Sequence, residues 1–271
     1  PLSGKWYIYN CISGTSIAYG KAWGFQGAIP IPGDYNGDGR DDLAVYFPSN
    51  GSWYAYDLLS NAAILMGFKW GYETAIPVVA DYIGDGRDDP AVYDLNTGRW
   101  YIFDLSTRSS VGLYGFQWGF NGAKPVPADY NGDGCEDIAV YSPNSCTWFI
   151  YDIQNNRVIG TNLRWGFQGG IPVPGDYTGD HVADLCIYDP QSNRWFIYDT
   201  LSGFADIEGI WWGYSGTTPI RGNFSGTSNN EFGVYDTNSA KWFLYNVSIE
   251  RSVHVGLRWG YPGTLPIGAA Y

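Results

Sequence analysis

Acidic and amide side chains alternate along one short, glycine-rich segment of the sequence. Residues 34–42, DYNGDGRDD, carry oxygen-bearing side chains at positions 1, 3, 5 and 9 of the segment. Calcium requires about six to eight oxygen ligands on a tightly wound backbone, and the glycine at position 6 permits the sharp turn. The spacing therefore predicts a calcium site with these ligands: Asp34, Asn36, Asp38, Asp42 and, at position 7, the backbone carbonyl of Arg40.

Three further copies of the segment follow in register, so up to four calcium ions are predicted. The third copy is complete and supplies Asp129, Asn131, Asp133, the carbonyl of Cys135, and Asp137. The second copy has Ile83 at position 3, where water must substitute, and supplies Asp81, Asp85, the carbonyl of Arg87, and Asp89. The fourth copy has His181 where glycine is preferred, and supplies Asp176, Thr178, Asp180, the carbonyl of Val182, and Asp184.

Two other copies have lost this pattern. The fifth begins at Asn223 and ends at Glu231, without the three aspartates. In the sixth, Ala270 stands at position 1. Neither copy is predicted to bind a metal ion.

The acidic loops also explain the charge of the chain. The formal net charge is −12, and 12 of the 27 acidic residues are the predicted aspartate ligands at positions 1, 5 and 9 of the four loops. Binding to nucleic acid requires a basic patch, so this charge argues against a nucleic-acid partner, and none is predicted. No apolar run approaches the roughly 18 residues that span a bilayer, so membrane insertion is not predicted either.

Two series of tryptophans show that the loops belong to a repeat of 47 or 48 residues. Together the series use 12 of the 13 tryptophans and leave out only Trp211, so most tryptophans are predicted to be packing residues. The first series begins the dipeptide Trp-Gly, at Trp23, Trp70, Trp118, Trp165, Trp212 and Trp259. In the second series each tryptophan is followed by Tyr or Phe; its members are Trp6, Trp53, Trp100, Trp148, Trp195 and Trp242.

Each repeat contains four short strand patterns. In residues 23–69 these are 29–34, 43–46, 53–57 and 64–69, rich in aromatic and β-branched residues and separated by turn sequences. Four strands in a repeat of this length are typical of a propeller blade, with a β-solenoid as the alternative. We therefore predict an all-β, six-bladed β-propeller in one domain, residues 1–271. Its repeats are 23–69, 70–117, 118–164, 165–211, 212–258, and a split copy formed by 259–271 with 1–22.

The split copy is incomplete, because it has no counterpart of residues 36–47. The strand at 42–47 would then be missing between the strands at 5–10 and 266–271, leaving unpaired backbone on both sides. Either another polypeptide fills this gap, or the sequence is a fragment, or the last blade is irregular. Strand addition by a second copy or by another surface protein would satisfy the exposed edges.

The pattern P-V-P-G-D-Y-x-G-D-G-x-x-D-x-A-V-Y resembles the FG-GAP and VCBS repeats over nearly the whole chain. Such repeats form calcium-binding propellers in integrin α subunits, fungal lectins and bacterial surface proteins. The resemblance implies an extracellular or cell-surface location and a non-catalytic binding or adhesion role. It does not identify the ligand.

No catalytic constellation is predicted. The two histidines, His181 and His254, lie in different repeats, and neither H-E-x-x-H nor G-x-S-x-G occurs. The four cysteines have no C-x-x-C spacing and are expected to be free thiols, with an intermolecular bridge left open.

Three functions therefore compete. We expect a calcium-stabilised interaction or adhesion module, built into a larger surface or fibrous assembly. A carbohydrate-binding propeller lectin is the alternative, because propellers offer clefts between their blades. A glycan-active enzyme is disfavoured.

Overall fold

Antiparallel sheets supply nearly all of the regular secondary structure in the computed structural model, which describes residues 3–110 and 114–267. The first element is a two-stranded hairpin of β1 (Lys5–Asn10) and β2 (Thr15–Ala22). Five larger sheets follow, each with a second and a third strand at its centre. A single 3-10 turn, Pro48–Asn50, lies between two strands of the first large sheet.

The five sheets have the following strands. Blade 1 contains β3 (Ile29–Pro30), β4 (Leu43–Phe47), β5 (Ser52–Asp57) and β6 (Ala62–Lys69). Blade 2 contains β7 (Ala75–Pro77), β8 (Ala91–Asp94), β9 (Arg99–Asp104), and both β10 (Ser109–Ser110) and β11 (Phe116–Gln117) in fourth place. Blade 3 contains β12 (Lys124–Pro125), β13 (Ile138–Ser142), β14 (Thr147–Asp152) and β15 (Arg157–Arg164). Blade 4 contains β16 (Ile171–Pro172), β17 (Leu185–Asp189), β18 (Arg194–Asp199) and β19 (Phe204–Trp211). Blade 5 contains β20 (Thr218–Gly222), β21 (Glu231–Asp236), β22 (Lys241–Asn246) and β23 (Arg251–Arg258).

The pairing of the second and third strands fills each blade in the same way. The tyrosine of the second strand lies opposite the tryptophan of the third, as in Tyr141 and Trp148, whose ring centroids are 5.0 Å apart. Second strands are apolar on both faces because both faces are buried; in β8, for example, all four residues are buried. The core is therefore distributed among the blades rather than collected in one place.

Tryptophans of the Trp-Gly dipeptides join each blade to the next. The indole N–H of Trp148 in blade 3 donates to the carbonyl of Trp165, at 2.9 Å. Trp165 in turn donates its indole N–H to the carbonyl of Phe196 in blade 4, at 3.4 Å. Both tryptophan series thus serve packing, as predicted, and a repeated hydrogen bond contributes to this role as well as burial.

The described residues form five blades, not the six that the sequence predicts, although the prediction of an all-β propeller is confirmed. The split copy contributes only the hairpin β1–β2, because it has no counterpart of the second strand. The hairpin packs against blade 1 through Trp6, which contacts Leu43 and Val45. It also contacts the segment after blade 5, with 4.8 Å between the ring centroids of Tyr9 and Trp259.

Several smaller predictions can be compared with the structure. The strand predicted at 266–271 falls mostly on residues 268–271, which lie outside the described residues, as does Ala270; Pro266 and Ile267 are not in a strand. His181 lies in a turn with φ 68°, and the four cysteines are free, with Cys186 buried. Within the described ranges no helix is long and apolar enough to cross a membrane.

Candidate metal centres

The position 1 aspartate organises each acidic loop. One carboxylate oxygen of Asp34 accepts the N–H of Gly37 at 2.6 Å, and the other accepts the N–H of Gly39 at 2.6 Å. Asp129 does the same with Gly132 and Gly134, at 2.6 and 2.8 Å. The loop is therefore wound around this carboxylate, with its backbone held in the tight turn that a small cation would require.

The position 9 aspartate of each acidic loop is buried. In all four loops one carboxylate oxygen accepts the backbone N–H of the residue after position 1, as when Tyr35 donates to Asp42 at 3.0 Å. Burial, reinforced by neighbouring carboxylates, raises the pKa of Asp42 and Asp184 to about 7 and that of Asp89 and Asp137 to about 8. A nearby cation would favour the charged form and reverse this shift.

The remaining predicted ligands lie around these two carboxylates. The amides of Asn36 and Asn131, at position 3, reach the position 9 carboxylate at 3.4 and 3.2 Å through their nitrogen atoms. Rotating the amide would present its oxygen instead. The position 5 carboxylates of Asp38, Asp85, Asp133 and Asp180 accept the backbone N–H of the position 7 residues, which are Arg40, Arg87, Cys135 and Val182.

These groups do not form a tight cage. Within the described residues no group of three or more His, Cys, Asp or Glu side chains is arranged to hold a metal ion. Position 3 of the second loop, Ile83, offers no side-chain oxygen. Binding would thus require the position 5 side chain, which is exposed in Asp38, Asp85 and Asp133, to turn towards the loop.

The fourth loop contains two buried oxygen atoms without a hydrogen-bond partner. They are Oδ1 of Asp184 and Oγ1 of Thr178, the predicted ligands at positions 9 and 3. A buried polar atom without a partner costs about 1–3 kcal/mol, so a pair of them in one loop requires an explanation. Both are oxygen donors of the kind that calcium prefers, and the donor set fits a hard cation.

The fifth loop compensates for the loss of its aspartates with hydrogen bonds. Its position 9 residue, Glu231, is fully buried. The carboxylate accepts hydrogen bonds from Ser225 and from the side-chain amide of Asn246 at 2.8 Å. Neutral donors therefore surround this carboxylate, as expected for a loop that balances its buried charge without a cation.

A further aspartate in each of the four blades with an acidic loop was not predicted from the sequence. It ends the third strand, and its carboxylate contributes to the raised pKa of the position 9 aspartate in the same blade. These residues are Asp57, Asp104, Asp152 and Asp199. The sequence did contain a signal for this role. The residue that ends the third strand is aspartate in the four blades with an acidic loop, whereas in the fifth blade it is Asn246.

The loops of neighbouring blades are joined through their backbones. The residue before position 9 donates its N–H to the carbonyl of position 1 in the preceding loop. Asp88 donates to Asp34 at 2.7 Å, and Glu136 donates to Asp81 at 2.9 Å. The carboxylate of Asp88 also accepts the N–H of Asp34, at 2.7 Å. Neighbouring loops are thus held in fixed positions relative to each other by backbone hydrogen bonds.

Comparison with known proteins establishes the fold class. No protein-family model and no curated protein matches the sequence. A chain of a nidogen/laminin complex is similar in structure, with a TM-score of 0.59 and 12% identity, covering 96% of this chain and 91% of that chain. A lectin from Agrocybe aegerita that recognises non-reducing terminal N-acetylglucosamine gives a TM-score of 0.54 at 15% identity, covering 86% of this chain and 66% of the lectin.

An enzyme is also among the similar structures. The dihydro-heme d1 dehydrogenase NirN gives a TM-score of 0.50 at 12% identity, covering 96% of this chain and 55% of that chain. At such low identities the likeness shows the fold alone. The chain is a β-propeller, and its function depends on its own residues.

Proposed function

We propose that the chain is a non-catalytic, calcium-stabilised propeller that binds other macromolecules outside the cell. The contrast between the fourth and fifth loops carries this proposal. In the fourth loop the oxygen atoms of Asp184 and Thr178 are buried without a partner, whereas in the fifth the carboxylate of Glu231 is surrounded by donors. In the fifth loop, where the aspartates are replaced, hydrogen-bond donors take the place that we propose for a cation in the fourth loop.

The expected affinity suits an extracellular protein. Loops with few charged ligands and exposed members, such as Asp38 and Asp85, bind calcium with Kd values of roughly 10⁻⁴–10⁻³ M, which is the range of extracellular modules. Calcium would act as a structural ion, because its ligands are the residues that wind the loops. Each filled site would stabilise the fold by about 2.7 kcal/mol at a calcium concentration of 100 Kd.

Binding of a protein partner agrees with the arrangement of the chain. The two histidines lie in blades 4 and 5, His181 in a loop and His254 on β23, so they form no acid–base pair with each other. The position 9 carboxylates are buried within structural loops. We infer that the partner is another surface protein or a second copy, held at least partly by strand addition at the hairpin β1–β2.

Calcium titration of variants in matched loops tests the metal proposal. Asp184→Asn should remove one calcium site and should stabilise the metal-free protein, because it removes a buried carboxylate from a crowded loop. Glu231→Gln, at the same position of the fifth loop, should leave the calcium stoichiometry unchanged. Isothermal titration calorimetry gives the stoichiometry, and melting temperatures with calcium and with excess chelator give the stabilisation. Equal melting temperatures in the two conditions would refute the proposal.

Glycan binding is the second candidate, favoured by one residue. Trp211 is the tryptophan outside both series, and its side chain is 62% exposed at the end of β19. An exposed aromatic ring without a packing role is suited to contact the apolar face of a sugar. Binding on a glycan array that disappears in Trp211→Ala would support this function, and an array without binding would remove it.

A further inference from the structure

The third strand of the incomplete copy, β1, has one free edge. Among the described residues β1 pairs only with β2. Its counterparts β5, β9, β14, β18 and β22 each pair on both sides, with the second strand of the blade on one side and the fourth on the other. The edge of β1 that faces away from β2 therefore presents backbone donors and acceptors to a further strand.

A cavity of about 850 Å³ lies along this free edge. It is within the range of roughly 300–1,000 Å³ that is usual for ligand pockets. Its walls come from the hairpin, from blade 1, and from blade 5 with the segment that follows it. The residues that matter here are Ile8, Leu43, Trp242, Leu257, Trp259 and Leu265.

The residues equivalent to Ile8 in the five complete blades show which part of a blade is absent beside the cavity. The residue two places after the third-strand tryptophan is 0–1% exposed in all five blades; these residues are Ala55, Ile102, Ile150, Ile197 and Leu244. In each of these blades it lies opposite a residue of the second strand. In β1 the same position is Ile8, which is only half-buried and lines the cavity.

An indole nitrogen beside the cavity also lacks its usual partner. The other five Trp-Gly tryptophans each donate to a third-strand carbonyl; Trp212, for example, donates to Phe243 at 3.1 Å. The buried Nε1 of Trp259 has no hydrogen-bond partner. The hairpin is thus in place beside Trp259 but is not fully docked against it, as expected for a blade without its central strand.

Contacts that recur in the complete blades hold the hairpin at this position. The ring centroids of Tyr7 and Tyr261 are 5.2 Å apart and T-shaped, as are those of Phe25 and Tyr54 in blade 1 at 5.3 Å. The cavity therefore occupies the place of a second strand between walls that already have the geometry of a blade.

We propose that the cavity and the free edge of β1 bind an extended segment of a partner protein with the second-strand pattern of this repeat. This inference deepens the proposed binding function by naming the partner's chemistry. The segment would pair antiparallel to β1 and form a sixth ladder of the same kind, with a tyrosine opposite Trp6, a valine or isoleucine opposite Tyr7, and a small residue opposite Ile8.

This pattern follows from the pairing in the five complete blades. Opposite the residue equivalent to Ile8 the second strand always has a small side chain, in Ala44, Ala91, Ala139, Cys186 and Gly233. Opposite the residue equivalent to Tyr7 it always has a β-branched one, in Val45, Val92, Val140, Ile187 and Val234. The main chain would supply affinity, and these alternating sizes would supply specificity.

A synthetic peptide tests the proposal on the whole chain. The probe is residues 43–47, LAVYF, flanked by lysines for solubility. It should raise the melting temperature and slow amide hydrogen exchange of Lys5–Asn10 by at least about tenfold at saturation, because these amides would exchange only when the peptide leaves. The same peptide with Ala44→Leu should have neither effect, because leucine would clash with Ile8.

Two protein variants locate the site. Ile8→Arg should abolish peptide binding, whereas Met66→Arg, on the exposed face of β6, should leave it intact. The proposal is overturned if the matched peptide does not bind, if both peptides bind equally, or if the protein forms a dimer that the peptide does not disrupt. Calcium stabilisation without peptide binding would overturn this inference alone, and peptide binding without calcium stabilisation would overturn only the metal proposal.

Discussion

The side-chain amide of Asn246 donates a hydrogen bond to the buried carboxylate of Glu231, with 2.8 Å between the two atoms. In the four blades with acidic loops, the residue at the place of Asn246 is an aspartate and the residue at the place of Glu231 is an aspartate too. One amide therefore replaces a pair of repelling carboxylates with a donor–acceptor pair. The fifth blade thus has a hydrogen-bonded amide and carboxylate where the other four blades place two carboxylates.

Asn246→Asp should destabilise the protein by at least about 2 kcal/mol at pH 7 in chelator, because Glu231 would lose a buried donor and gain a like charge. Urea unfolding measures this free energy. Asn10→Asp is the control, since Asn10 uses only its oxygen, which accepts the N–H groups of Ile12 and Ser13. It should change stability by less than about 0.5 kcal/mol. Equal losses in both variants would contradict the charge argument.

Trp148→Phe should destabilise by about 2–4 kcal/mol, since it leaves a cavity and deprives the Trp165 carbonyl of its donor. Trp148 is fully buried, and its bond to Trp165 links blade 3 to blade 4. Trp211→Phe is the matched control because Trp211 is exposed, and it should change stability by less than about 0.5 kcal/mol. Thermal unfolding monitored by circular dichroism compares the two, and a similar small effect in both would show that the repeated indole bond is unimportant.

Acid should weaken the turn that Asp94 caps. Burial raises the pKa of Asp94, but hydrogen bonds from the hydroxyl of Thr97 at 2.7 Å and the N–H of Asn96 at 2.9 Å outweigh it, so the pKa is lowered overall. A carboxyl with a lowered folded pKa adds stability above its unfolded pKa of about 3.9, and that stability is lost as the pH falls through the folded value.

The variant Asp94→Asn should therefore be less stable than the parent protein at pH 6, and the difference should shrink as the pH falls to about 2.5. Chemical denaturation at a series of pH values measures it. Asp206→Asn, at an exposed position of β19, is the control and should change stability by less than about 0.5 kcal/mol at pH 6. If the stability difference between Asp94→Asn and the parent protein were constant across this pH range, the lowered pKa of Asp94 would be refuted.

The repeat made most of the fold predictable from the sequence. Two tryptophan series fixed the period, and the Ala-Val-Tyr runs located the second strands, since a strand buried on both faces must be apolar throughout. The number of blades could not be predicted in the same way. It depends on whether the strand beside β1 forms, which is a long-range pairing that local pattern does not determine.

The acidic loops, like the fold, could be predicted from the sequence only in part. Positions 1, 5 and 9 were predicted from spacing because a loop of nine residues determines its own geometry. Asp57 was not, because it lies 15 residues after Asp42 and approaches it only when β4 pairs with β5. The partner role of Asn246 in the fifth blade likewise depends on a pairing between strands.

Residues before the third strand adopt a left-handed conformation in every copy, although their side chains differ. Gly98 has φ 71° and Cys146 has φ 55° at equivalent places. Each accepts the N–H of the next Trp-Gly tryptophan, with the bond from Trp118 to Gly98 and the bond from Trp165 to Cys146 both 3.2 Å long. At Gly98 the neighbouring backbone is so close that an added Cβ would lie 2.2 Å from the carbonyl carbon of Gly119, and the equivalent Gly4 and Gly51 lie as close to the backbones of Gly24 and Gly71.

The two positions should therefore respond differently to alanine. Gly98→Ala should destabilise the protein by more than about 2 kcal/mol, because it combines the cost of about 1–2 kcal/mol for a left-handed residue with a clash against the backbone of Gly119. Cys146→Ala should be nearly neutral, since a Cβ is already accommodated there and Ala240 adopts φ 55° at the same place in blade 5. Urea unfolding of both variants in calcium measures the difference. If Gly98→Ala were as mild as Cys146→Ala, the close contact between Gly98 and Gly119 would not be a constraint on the fold.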